Sequence, residues 1–165
     1  SLAPFPDGEN SVAKVIKLLG KTSVGGPGSI GITAYLTNLI QKTVDDYGMK
    51  RVGFNGVMYS VMEDDMLAEQ SMSGVLTLEK LMLLSSVCGC GIDMVPLPGD
   101  IFGETLAALI CDIITLSDKL NKPLGIRVLP IQGKFSNDKT NFNHDFLSDM
   151  KILNIQGSIV PDIDF

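Results

Sequence analysis

Two short apolar runs, joined by one amphipathic segment, constrain this chain more than any other feature. The runs are residues 92–97 (IDMVPL) and 124–131 (LGIRVLPI), the first closed by Pro98-Gly99. Between them Leu106, Leu109, Ile110, Ile113 and Leu116 recur at the spacing of one helix face over about 102–120. A strand followed by a crossover helix and a second strand pairs in parallel, because the helix returns the chain to its starting end. Both runs are apolar at alternate and intervening positions, as parallel strands are when both faces are covered.

The flanking sequence extends this unit. Residues 51–62 (RVGFNGVMYSVM) are rich in β-branched and aromatic side chains and read as a third buried strand. Ahead of it, one helix is expected over about 11–19, capped by Asp7 or Asn10 and striped by Val12, Val15, Ile16 and Leu19. A second is expected over about 29–47, with Ile32, Tyr35, Leu36, Leu39, Ile40 and Thr43 as its apolar stripe. A short helix starts at Glu63-Asp64-Asp65, and Thr77 caps another through about 87 that is apolar on nearly all sides, hence expected to be buried. The order strand, helix pair, strand, helix, strand describes one α/β unit over residues 1–165, with an irregular polar tail over 135–165 that turns apolar only at 152–159. Three strands leave an edge that something must cover.

Charge narrows the partners. Lys and Arg number 13 against 19 Asp and Glu, for a formal charge of −6, and Lys50-Arg51 is the sole adjacent basic pair. Nucleic-acid binding and attachment to an anionic membrane both need clustered basic residues. No run reaches the roughly 18–20 apolar residues of a membrane span, since Asp112 breaks the longest stretch. Three cysteines, an odd number, argue against a disulfide scaffold and suit a reducing cytoplasm. Hydrophobic residues make up 45% and charged residues only 19%, more apolar than a free surface demands.

Three groups carry candidate chemistry. Gly26-x-Gly28-x-x-Gly31 opens a helix, where backbone N–H groups and the helix dipole can hold an anion; it follows a helix, so it is not a dinucleotide fingerprint. Cys88-Gly89-Cys90-Gly91 precedes a strand and offers a nucleophile, a redox pair or half of a metal site, but only Cys111 and His144 remain as further soft ligands, so no metal or other cofactor is expected. Glu63, Asp64, Asp65 and Glu69 follow a strand, with Asp93 and Asp100 flanking the next; clustered carboxylates suit acid–base work or simply favour a helix N-terminus. His144, in a polar loop, reads as solvated.

Four blocks carry a family resemblance. They are Gly53-Phe54-x-Gly56; Glu63-Asp64-Asp65-x-Leu67-Ala68-Glu69; Ser86-Val87-Cys88-Gly89-x-Gly91-x-Asp93-x-Val95-Pro96-Leu97-Pro98-Gly99-Asp100; and Leu120-Asn121-Lys122-Pro123-Leu124 with Arg127-x-x-Pro130-x-x-Gly133-Lys134. In this order and spacing the chain resembles uncharacterised protein family 0210, the domain of unknown function numbered 711, over nearly its whole length. The resemblance implies a pyruvate formate-lyase-like α/β barrel, shared with glycyl-radical enzymes and large ribonucleotide reductase subunits. It places Cys88 at the family's cysteine and Cys90 where another residue is expected. It also implies that the chain is a C-terminal portion, whose partner is the missing N-terminal portion or a symmetry mate in a homo-oligomer. Glycyl-radical chemistry is not implied, because Arg127-Val128 is followed by Leu129-Pro130 and not by a glycine and an aromatic.

Two functions follow as expectations. In the first, a barrel enzyme uses Cys88 as thiol and Glu63, Asp64 and Asp93 as carboxylates on a small anionic molecule held by Gly26, Gly28 and Gly31. In the second, the chain is a non-catalytic module for assembly or ligand sensing that completes a barrel with a partner.

Overall fold

The computed structural model describes residues 1–155. Five helices and two strands follow one another as α1 (Val12–Gly20), α2 (Ser29–Asp46), α3 (Asp65–Met72), α4 (Leu78–Ser85), β1 (Gly91–Pro98), α5 (Gly103–Leu120) and β2 (Gly125–Ile131). β1 and β2 are paired in parallel, with α5 as the crossover. This is the mixed α/β arrangement that the two apolar runs required.

The register is interrupted once. Ile92 faces Ile126 and Val95 faces Val128, so β1 carries one extra residue over that interval. Met94 absorbs it with φ +50, a left-handed conformation uncommon for a non-glycine side chain. Paired residues of a parallel ladder share a face, so the bulge places Ile92, Val95 and Leu97 on one side of the sheet. All three are buried.

The third expected strand, residues 51–62, is not continuous. Single parallel bridges join Leu2 to Val57 and Ser60 to Asp93, which keeps the segment beside β1. Its backbone groups are spent elsewhere: Met58 N–H donates to Leu2 O (2.9 Å), Val57 N–H to Thr37 Oγ1 (3.2 Å), and Val57 O accepts from Gly89 N–H (2.6 Å). Gly53 at φ +62 and Gly56 at φ +146 turn the chain out of strand geometry, and Val61–Glu63 closes it as a 3-10 turn.

Helix faces also differ from their expected stripes. On α2 the buried residues are Ser29, Thr33 and Thr37, while Tyr35 and Leu39 of the apolar stripe are exposed. The polar face turns inward because the core has polar groups to satisfy: Thr33 Oγ1 shares a hydrogen bond with the buried Tyr59 hydroxyl at 2.5 Å, and Thr37 takes the Val57 N–H. α4 buries Leu78, Leu81 and Leu84 but exposes Leu83, so it is not buried all round. α5 buries Leu109 and Ile113, with Leu106 and Leu116 packed at the core margin. β2 is only half-buried along its length, unlike β1.

Ser11, not Asp7 or Asn10, is the N-cap of α1, its hydroxyl accepting from Lys14 N–H at 3.0 Å. Thr77 caps α4 as its sequence predicts. Residues 132–155 form neither helix nor strand, yet Met150, Ile152 and Leu153 are buried in the core. Leu153 N–H donates to Pro96 O (3.1 Å) and Ser148 N–H to Met62 O (2.7 Å), so the segment straps across β1 and the 3-10 turn. The apolar stretch expected at 152–159 lies partly outside the described residues. No helix among the described residues is long and apolar enough to cross a membrane.

Candidate functional site

The bridge between Ser60 and Asp93 aligns the 3-10 turn with the start of β1, and the β1–β2 register sets Arg127 beside Asp93. Each strand carries one charged side chain in an apolar run, and these two meet. Arg127 Nε and Nη2 donate to the two carboxylate oxygens of Asp93, the second at 3.0 Å, a bidentate pair. Nη2 also reaches Glu63 Oε2 at 3.3 Å. The Ser60 hydroxyl donates to the same Glu63 oxygen. The hydrogen bonds and charges of both carboxylates hold the Arg127 guanidinium more firmly protonated than an isolated one.

This cluster borders a cleft of about 300 Å³, whose wall includes Phe54, Met58, Cys90, Ile92 and Ile126 besides Asp93 and Arg127. One charged end and an apolar body suit a small amphipathic molecule. Among the described residues Nη1 of Arg127 has no protein acceptor, so one edge of the guanidinium remains available. One cation against two carboxylates leaves the cluster with a net charge of about −1, which disfavours a multiply charged anion.

Cys90 brings the thiol turn into contact with the cleft, whereas Cys88 lies behind it, fully buried. Gly91 N–H points at Cys88 Sγ (3.4 Å). The Cys90 thiol as hydrogen-bond donor, these backbone amides and the nearby Lys122 ammonium stabilise a Cys88 thiolate and hold its pKa below the ordinary thiol range, against the opposing effect of burial. The Cys90 thiol is pushed the other way by that same hydrogen bond and by burial. Lys122 donates to Ser85 O at 2.7 Å, and burial lowers its own pKa.

The remaining sequence candidates lie apart from this cleft. Asp64 is fully buried, and its two oxygens accept from Ser11 Oγ–H, Val12 N–H, Ala13 N–H, Met66 N–H and Leu67 N–H at 2.7–3.2 Å. It caps α1 and α3 together. Asp65 accepts from Gly8 N–H (2.6 Å) and from the Ser148 hydroxyl, tying the N-terminal segment and the strap to α3. The three consecutive acids therefore face three different partners, and among the described residues no three metal-ligating side chains converge.

The glycine loop is engaged with itself and with α4. Gly25 N–H donates to Ser29 Oγ (3.1 Å), Gly26 N–H to Ser23 O (2.9 Å), and Ser29 N–H to Gly26 O (3.1 Å). Gly28 is the α2 N-cap at φ +89, and Gly25 packs on Lys80. Gly26, Gly28 and Gly31 thus sit at the α2 N-terminus, away from Arg127. His144 lies in an exposed turn where Nδ1 accepts from Phe146 N–H (3.1 Å). Arg127 was not among the residues singled out from sequence as catalytic; a lone Arg in LGIRVLPI and a lone Asp in IDMVPL, in strands already expected to pair, were the available signal.

The profile of the family described as Uncharacterised ACR (DUF711) matches residues 1–145. A UPF0210 protein of Oleidesulfovibrio alaskensis is 36% identical over 158 residues, covering 96% of this chain and 34% of the relative. Another, from Caldicellulosiruptor saccharolyticus, is 35% identical over 96% of this chain and 35% of its own length. A third, from Desulforudis audaxviator, is 37% identical over 86% and 31%. The chain spans about a third of the length of the curated relatives it matches. With its profile match and these relatives, the chain belongs to the DUF711 family, whose curated members are named UPF0210 proteins.

Proposed function

We propose that the cleft beside Arg127 is the site of an enzyme that acts on a small molecule bearing a carbonyl or carboxylate oxygen. The observation that carries this reading is the convergence of Arg127, Asp93 and Cys90 on one cleft at the start of the two parallel strands, with Glu63 bonded to Arg127 beside it. Nη1 of Arg127 would hold the oxygen, Glu63 and Asp93 would orient the guanidinium, and the Cys88–Cys90 pair would supply a thiolate and a thiol proton. Asp64 would contribute by fixing the turn that presents Glu63. The Gly26–Gly31 loop is left with a supporting part. The net negative cluster narrows the substrate from anions in general to a monocarboxylate or a neutral carbonyl compound. In the whole protein this cleft would open into a cytoplasmic barrel of the pyruvate formate-lyase type, closed by the rest of the family's chain and without a glycyl radical.

The test is a heteronuclear NMR titration with short-chain carboxylic acids and their primary amides, comparing wild type with Arg127→Gln. Shifts clustered at Asp93, Cys90 and Ile126 that vanish in the variant are expected. Binding elsewhere, or binding indifferent to the substitution, overturns the reading.

A second reading, a non-catalytic module that completes a barrel with a partner chain, draws on the exposed apolar stripe of α2, including Tyr35 and Leu39. It expects no ligand in the titration and self-association, or capture of the family's remaining segment, that Leu39→Lys abolishes.

A further inference from the structure

The turn Cys88-Gly89-Cys90-Gly91 holds two buried free thiols on a backbone that has little room to move. A Cβ on Gly89 would fall 2.7 Å from Gly56 Cα, and one on Gly91 would fall 2.3 Å from Gly125 O. Gly89 N–H is tied to Val57 O at 2.6 Å and Cys90 O to Gly125 N–H at 2.7 Å. Within this clamp both sulfurs converge on one carbonyl: Cys88 Sγ lies 3.9 Å and Cys90 Sγ 3.6 Å from Gly91 O. Only Cys90 meets the open cleft, whose volume of about 300 Å³ admits small reagents. The third thiol, Cys111, is exposed on α5 and has no such neighbour.

We propose that Cys88 and Cys90 are a reversible dithiol–disulfide pair, oxidised by a small hydroperoxide that enters through the Arg127 cleft. The Cys88 thiolate takes the proton of Cys90, and the Cys90 sulfur, which faces the cleft, attacks the peroxide oxygen. An S–O bond forms, the O–O bond breaks, and the leaving alkoxide or hydroxide takes that proton back from the Cys88 thiol. The Cys88 sulfur then displaces hydroxide from the Cys90 sulfenic acid: the S–S bond forms, the S–O bond breaks, and the hydroxide leaves as water with a proton from solvent, the one Cys88 gave up on ionising. With hydrogen peroxide the sum is two thiols oxidised by two electrons and one peroxide reduced to two waters. The stabilised Cys88 thiolate supports the first step. Closure draws the Cys90 sulfur off the cleft wall, so the redox state of the pair changes the shape offered beside Arg127. This goes beyond the enzyme reading and stands whether or not the cleft turns over a substrate.

The experiment uses the chain with Cys111→Ser, an exposed position outside the cleft. It is treated with hydrogen peroxide, quenched, unfolded in iodoacetamide, and read by intact mass and peptide mapping. The expected product is about 2 Da lighter, resists alkylation, and regains two alkylated thiols after dithiothreitol, with the link mapped between Cys88 and Cys90. A bulky aromatic disulfide reagent leaves the folded pair untouched and titrates both thiols once the chain is unfolded. Products heavier by about 16 or 32 Da per thiol, intermolecular dimers, or two thiols that stay alkylatable after the peroxide is consumed overturn the proposal. The mapping needs no substitution at either cysteine of the pair, so a variant that fails to fold cannot obscure the answer.

Discussion

Replacing Asp64 by Ala tests whether this carboxylate is a structural clamp. Five donors converge on it: four backbone N–H groups, two at each of the α1 and α3 N-termini, and the Ser11 hydroxyl. An N-cap is worth about 1 kcal/mol, reaching about 2 in well-ordered sites, and Asp64 serves two helices. That contributes about 2–4 kcal/mol. The Ser11 hydroxyl, buried beside it, loses its acceptor for about 1 kcal/mol more. The expected destabilisation is about 3–5 kcal/mol, a large share of the 5–15 kcal/mol available to an ordinary domain. Asp64→Asn retains one acceptor oxygen and is expected to lose about half as much. Asp65→Asn, at a partly exposed neighbour with two donors, is the control, with an expected loss of about 1 kcal/mol. Urea unfolding followed by circular dichroism reads all three. With a slope of about 2 kcal/mol per molar, Asp64→Ala moves the midpoint down by about 1.5–2.5 M. A midpoint shift under about 0.5 M would refute the clamp, and loss of ligand binding at unchanged stability would return Asp64 to the chemistry of the cleft.

Two further outcomes follow from the thiol turn. The ultraviolet thiolate absorbance of the folded chain should persist at pH values below the ordinary thiol pKa of about 8.5, and Cys88→Ser should remove it. The sign follows from a folded-state pKa held below the unfolded one: the stabilisation by Cys88 is present at high pH and is lost as pH falls through the folded value. A thiolate signal that rises only near the ordinary pKa contradicts the hydrogen bonding described for the pair. Gly89→Ala should cost about 2–4 kcal/mol in the same urea assay, because its Cβ meets backbone on Gly56 and not a movable side chain. A loss under about 0.5 kcal/mol would mean that the two segments are not in contact.

How far the sequence carries depends on what set each feature. α5, β1 and β2 were legible because helix spacing and continuous apolar runs are local signals that tertiary packing reinforced. The Thr77 cap was legible for the same reason. Residues 51–62 misled because Val52, Phe54, Val57 and Tyr59 have strand-forming side chains, while Gly53, Gly56 and the side chain of Thr37 decide where the backbone goes. α2 misled because apolar residues are ordinarily the buried ones; here the Tyr59 hydroxyl and Val57 N–H inside the core draw Thr33 and Thr37 toward them. For the site, Asp93, Glu63 and the cysteines were visible as residue types, but only the register joins Asp93 to Arg127. Asp64 was visible as an acid, and nothing short of three-dimensional structure distinguishes a carboxylate shared by two helix starts from one facing a ligand.

The extra residue in β1 has a consequence for how this strand can change. Its side-chain alternation has a period of two, so one inserted residue is a shift of phase. Met94 supplies that shift, and Ile92 remains on the same side as Val95 and Leu97 because of it. Met94 is itself buried in the core, so Gly or Asn, which accept a positive φ more readily, would give up that packing. Straightening β1 with every residue in place would turn Ile92 outward or Val95 and Leu97 outward. Deleting residue 94 would instead restore an unbroken register, with Asp93 opposite Arg127 and Ile92, Val95 and Leu97 still on one face. The bulge is thus a place where β1 can lose a residue and keep its buried side.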